Sequence, residues 1–180
     1  MFGSSKSQKT PWETTDGAVE DLLQAACTLH KTVEPQPDRL GILGAGSIGV
    51  KAESVRKAID RLKNAVLSCA AAESDGKMQY KQVESVVERL DNSNPLFVTV
   101  LERLSEVHFH HFHEIGMGIP TVVKKALGWI QGSIQACLTT LSNANKISEL
   151  TQRISTVGNR LLAAVSKALA VYSNTTTPDL

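Results

Sequence analysis

Ile147, Leu150, Ile154, Val157, Leu161, Val165 and Ala168 follow one another at steps of three and four residues. Only a turn of 3.6 residues brings such a series onto one face, so this stretch reads as an amphipathic helix. The same spacing recurs upstream. Val19, Leu22, Leu23, Ala26, Leu29 and Val33 form one stripe, and Val55, Ile59, Leu62, Val66 and Cys69 a second. Val83, Val86, Val87 and Leu90 form a third, and Phe97, Leu101, Leu104, His108 and His111 or Phe112 a fourth. Val123, Leu127, Ile130, Ile134, Cys137 and Leu141 complete the set. Period-two alternation is confined to residues 97–100, too short to define a strand, and there is no internal repeat.

The spacing predicts helices over residues 15–33, 50–73, 77–91, 95–115, 120–142 and 146–173. Pro35 and Pro37 end the first, and Gly76 closes the second. Asn94 followed by Pro95 reads as an N-cap and first-turn pair that opens the fourth. Gly116 and Gly118 break that helix, Pro120 opens the next, and residues 143–145 make the last turn. The expected fold is all-α, a bundle of five or six mostly antiparallel helices. A single domain over residues 14–174 is expected, with a disordered lead-in over 1–13 and a flexible tail over 175–180.

Composition narrows the function classes. The chain has 180 residues, 42% hydrophobic and 21% charged, which suits one globular domain. A net charge of +1 gives no global pull toward nucleic acid. Aromatics make up only 4%, so the core has to be built from Leu, Val, Ile and Ala. Cys27, Cys69 and Cys137 are odd in number, far apart and on apolar stripes, which fits buried thiols in a reducing compartment. The first residues carry no apolar leader, and no run of about 18 apolar residues occurs. The expected location is cytoplasmic.

Three motifs stand out. Gly41, Gly44, Gly46 and Gly49 punctuate residues 41–49 and contain a literal G-x-G-x-x-G. In a dinucleotide-binding turn such glycines sit between a strand and a helix, so that backbone approaches a pyrophosphate. The chain offers almost no strands, so a glycine-rich connection between the first two helices is the preferred reading. A dinucleotide site at residues 44–49 and a membrane-contacting segment are the alternatives.

The second motif is His108, His110, His111 and His113, followed by Glu114. Imidazoles one turn apart chelate zinc, copper or nickel. On a helix these four divide between two faces, and only His30 stands elsewhere. The preferred reading therefore places His108 and His111 against the core, with metal binding or a pH response as alternatives. No cofactor is otherwise expected.

The third motif is a stripe of Lys146, Arg153, Arg160 and Lys167, seven residues apart, beside the last apolar seam. Long cationic stems commonly cover the rim of a packed helix while their heads stay in water. The alternative is contact with an anionic membrane surface or an acidic partner helix. Gly128 and Gly132, four apart, point to close helix approach. No nucleophile elbow, phosphate loop or paired-carboxylate signature occurs, and Glu84/Glu88 and Glu102/Glu106 read as exposed like-charge pairs.

Residues 80–162 resemble the helical N-terminal domains of fungal NLR-type (STAND) proteins. The resemblance lies in Val83, Val86 and Leu90, in residues 101–108, and in Asn145 and Lys146 leading into Ile147, Leu150, Ile154 and Leu161. It implies a helical bundle acting as a signalling or cell-death effector, some members engaging membranes. The expected function is thus a non-enzymatic interaction or signalling module that meets a protein partner, or itself, through the basic stripe and the glycine segment.

Overall fold

The computed structural model describes residues 9–35, 41–116 and 118–173, and every regular element among them is helical. The expected tail and most of the expected lead-in lie outside these residues. Helix α1 spans Pro11–Val33. It starts ahead of residue 15 because Thr10 caps it: the Thr10 hydroxyl accepts from the Glu13 N–H, and the Glu13 carboxylate accepts from the Thr10 N–H at 2.7 Å.

Helix α2 spans Gly41–Ala71 and absorbs the glycine run. The expected glycine loop is therefore a helix. Its buried Ala45, Ile48 and Ala52 continue the stripe of Val55, Ile59 and Leu62 backward by two turns. The dinucleotide reading fails here as well. No strand precedes residues 44–49 among the described residues, and those glycines lie inside a helix rather than at its start.

Helix α3 spans Tyr80–Glu102 without interruption at Asn94-Pro95. Pro95 removes one donor, yet the buried face runs on through Val100 and Leu101. Asn94 does not cap a new helix. It is buried, with its Nδ2 3.4 Å from the Val157 carbonyl. A π-helical turn, Arg103–Val107, then leads into α4, His108–Ile115. Gly116 and Gly118, both at positive φ, reverse the chain into α5, Ile119–Ala144. Helix α6, Ser148–Ser173, follows a turn in which Asn145 holds the Ile147 backbone and Thr151.

Each long helix runs counter to the one before it in the chain. In space, α1, α2, α5, α6 and α3 pack in that order, and α3 returns to α1, which closes a five-membered ring. The α3–α1 side is fastened by Arg89, which reaches Asp16 at 2.6 Å and also Glu20. At one end the 72–79 segment seals the ring, with Met78 buried and its N–H on the Ala144 carbonyl at 2.9 Å. At the other end α4 packs against α5 and α2.

Tyr172, near the end of α6, is buried, and its hydroxyl donates to the Leu104 carbonyl in the π turn at 2.6 Å. Burial pushes this phenol up, so it stays a donor across the working pH range. Phe109 meets the same ring edge-on at 5.1 Å. Replacing Tyr172 with Phe leaves the Leu104 carbonyl without that donor while sparing the ring contact. The expected cost is about 1–2 kcal/mol in urea unfolding. A loss below a few tenths would show that the α6–π-turn fastening carries no stability.

Candidate functional site

The ring closes around a cavity of about 420 Å³ in the half of the bundle nearest α4. Leu29 enters it from α1, Ile48 and Val55 from α2, Val100 and Leu101 from α3, Leu127 and Ile130 from α5, and Leu161 and Val165 from α6. Each lies on the apolar stripe of its helix. Among the described residues its lining side chains are all hydrocarbon, and Gly46 and Gly49 complete the wall. A Cβ added at either glycine meets nothing within 4 Å, so the glycine run widens the space rather than bringing backbones together.

The reason for the hollow lies in where the few aromatics go. Trp129 is 60% exposed. Phe112 stacks on His108 at 5.6 Å, and Phe109 packs on Tyr172. Phe97 is the one aromatic on the cavity wall. Aliphatic and alanine side chains from five helices do not reach the middle.

The cavity opens between the N-terminal halves of α2 and α5. A second recess there shares Gly49, Ala52, Val122 and Ala126 with it and is rimmed by Glu53, Arg56, Lys125 and Trp129. Val50 and Val122 on the cavity wall are also 65% and 58% exposed, so the apolar surface runs from inside to outside without a break. Arg56 is held by Glu53 and Asp60, each at 2.7 Å. The hydrogen bonds that Arg56 donates hold the Glu53 carboxyl below its usual range.

The histidines serve another end of the molecule. His108 is fully buried, and its Nε2 lies 2.7 Å from the Val33 carbonyl at the C-terminus of α1. A carbonyl only accepts, so Nε2 carries the proton. Arg103 donates to the next carbonyl, that of Glu34. Together they satisfy orphan carbonyls of α1 from across the ring. The π turn contributes by placing His108 there, its N–H bonding back to Arg103. Among the described residues His108 Nδ1 and His111 Nε2 are buried without a hydrogen-bond partner. His110 and His113 are exposed, flanking Phe109. Among the described residues no three His, Cys, Asp or Glu side chains converge as a metal site would require.

The basic stripe on α6 is largely engaged. Lys146 pairs with Asp75, Arg160 with Asp91 at 3.1 Å and Lys167 with Glu106 at 3.0 Å, while Arg153 is half-buried. These exposed pairs contribute little energy singly but match α6 to α3 and the π turn, and the turn before α6 to the sealing segment. The stripe and the glycine stretch do not share a face: the stripe meets α3 and residue 75, whereas α2 packs between α1 and α5. Gly128 and Gly132 also differ from expectation, since a Cβ at either meets nothing within 4 Å. Close approach occurs instead at Gly158, where a Cβ would lie 2.5 Å from Leu138. Cys69 and Cys137 are buried, and burial pushes the Cys137 thiol up to about 12, whereas Cys27 is exposed.

About half of the lining residues, among them Leu29, Val55, Leu101, Leu127 and Val165, were legible as core; Ala45, Ile48 and Val100 were not, and nor was the hollow at their centre. The signal available was the low aromatic content, which sequence reasoning used only to argue for helix packing. No family model matches the sequence, and no curated protein matches it. Solved structures do. The fold is similar to that of Afmp4p, solved in complex with palmitic acid, with a TM-score of 0.74 at 18% identity, over 89% of this chain and 99% of that one. It is also similar to ligand binding domain 1 of the Penicillium marneffei MP1 protein, complexed with arachidonic acids (TM-score 0.72, 13% identity, 91% and 99% covered). Domain 2 of that protein, complexed with multiple arachidonic acids, matches with a TM-score of 0.75 at 12% identity over 94% and 100%. At these identities the likeness is one of fold. It agrees with the helical architecture that the resemblance to NLR-type domains implied and does not extend to their signalling role. Among the described residues no helix is long and apolar enough to cross a membrane.

Burial holds the His108 imidazole below its ordinary value of 6.5, with nearby Arg103 and His111 acting in the same direction and the Val33 carbonyl against it. The folded chain thus refuses a proton that the unfolded chain accepts. Its contribution is whole above the ordinary histidine range and is lost as pH falls below it. The melting temperature is expected to drop between about pH 7.5 and about pH 5.5, and to drop less in His108→Gln, which keeps a donor toward Val33 but does not titrate. Equal drops in the two proteins would remove His108 as the source.

Proposed function

We propose that this domain binds a long-chain aliphatic molecule, of the fatty-acid class, inside the five-helix ring. One observation carries the reading: an apolar cavity of about 420 Å³, built from every long helix and continuous with the surface between α2 and α5. That volume lies within the roughly 300–1,000 Å³ usual for small-molecule sites. Among the described residues the wall supplies no polar side chain to orient a sugar, nucleotide or peptide, so selection by shape and hydrocarbon content is what it offers. The solved structures of similar fold hold palmitic or arachidonic acid, which supports the same ligand class. Binding rather than catalysis is the proposed activity.

A second reading is a docking module. It is favoured by the exposed Leu43, Val50, Val122 and Trp129 on α2 and α5, an apolar row of the kind that contacts a partner or a bilayer. A signalling or cell-death role gains no support from the geometry.

Two measurements test the binding reading. Each buried methylene contributes about 0.8 kcal/mol, so affinity for saturated fatty acids is expected to rise about fourfold per carbon from eight carbons upward, until the chain outgrows the cavity. An affinity independent of chain length would contradict an internal site. Gly49 lines both the cavity and its mouth, with open space where a side chain would go. Gly49→Leu is expected to raise thermal stability through helix propensity, by up to about 1 kcal/mol. The same change should weaken sixteen-carbon binding by more than about tenfold. Undiminished binding in a stable variant would place the ligand elsewhere.

A further inference from the structure

We infer that the α2–α5 opening seats an anionic headgroup, with Lys125 as its cationic partner, so that the ligand is a single-chain amphiphile entering tail first. This rests on the cavity-binding reading and deepens it.

Among the described residues the cavity has nothing to offer a charge, since the side chains that line it are hydrocarbon. A carboxylate or sulfate drawn inside would be stripped of water and meet no hydrogen-bond donor, at a cost that a few extra methylene contacts do not offset. The headgroup of any ligand held there has to remain where water or a cation reaches it.

Among the described residues a recess on the α3–α6 seam and one between α2 and α5 share lining with the cavity. The one on the α3–α6 seam shares only Leu101 with it. Its cations, Arg160 and Lys167, already face Asp91 and Glu106. The one between α2 and α5 shares Gly49, Ala52, Val122 and Ala126, which makes it the broad exit. At its rim Arg56 is engaged by Glu53 and Asp60. Among the described residues Lys125 is the remaining cation of that rim. It follows Val122 by one turn and precedes Trp129 by another, and it is exposed. It takes part in no ion pair among the described residues. A lysine so placed keeps its stem on the apolar rim and its ammonium in water at the mouth.

The test compares palmitic acid with its uncharged analogue, hexadecan-1-ol, by competition against an uncharged fluorescent probe. Lys125→Met keeps the stem and removes the charge, and Lys124→Met, one residue away and also exposed, is the control. Wild type is expected to prefer the acid. Lys125→Met should weaken acid binding by about five- to tenfold and leave alcohol binding within about twofold, while Lys124→Met changes neither. Equal loss for acid and alcohol, no loss for the acid, or an equal effect at Lys124 would each overturn the assignment. If the alcohol binds wild type as tightly as the acid does, the headgroup site is wrong and the cavity reading stands. If neither binds, the cavity reading falls and this inference with it.

Discussion

The structure depends on a shortage of volume. Five helices arranged in a ring leave a central space that only large side chains can fill, and this chain has few of them. Trp129 stands on the rim, Phe109 and Tyr172 at the α4 end and Phe112 against His108, which leaves Phe97 on the cavity wall. The space left by the chain's own side chains, about 420 Å³, corresponds to packing on the order of 10 kcal/mol at the density of an ordinary core. That is comparable to the whole net stability of a domain this size, about 5–15 kcal/mol. A hydrocarbon chain occupying the space would recover part of that packing, and its binding would then be linked to folding.

Because the middle contributes less, the perimeter has to hold. The fastenings bridge helices that are distant in sequence: Arg89 to Asp16 and Glu20, His108 to Val33, Arg103 to Glu34, and Tyr172 to Leu104. Three of these four start or end in residues 103–108, the π turn and the first residue of α4. The extra residue of a π turn shifts the register of everything after it. Here it brings a histidine onto the open end of α1. The histidine cluster, so prominent in the sequence, is explained by His108 as a cap on another helix, and His110 and His113 face solvent on the far side.

Much of the architecture was legible in the residues. The three-and-four spacing marked a buried stripe on each long helix, though on α2 only from Val55 onward, and the glycines at 116 and 118 marked the turn they make. Two local signals misled. Asn94-Pro95 has the letters of a helix start, but the apolar stripe crosses it intact and tertiary packing overrides the proline. Residues 41–49 have the letters of a loop, but Ala45 and Ile48 belong to the α2 stripe, and burial draws the glycines into the helix. The cavity was not legible, because periodicity says which face points inward and not how far each side chain reaches. Lys125 carried no signal either. Its meaning comes from the opening between α2 and α5, and no spacing along one helix encodes a seam between two.

The proposed site puts the hydrocarbon chain inside the ring. Methyl-labelled protein titrated with a fatty acid carrying a nitroxide near its tail end tests it most directly, since paramagnetic broadening falls off steeply with distance. An internal tail predicts strong broadening of the Leu101, Leu127, Leu161 and Val165 methyls, which line the cavity, and little at Leu150, which is buried in the opposite half of the bundle. Broadening confined to exposed methyls such as Leu43 and Leu67 would contradict it and place the ligand on the outer surface.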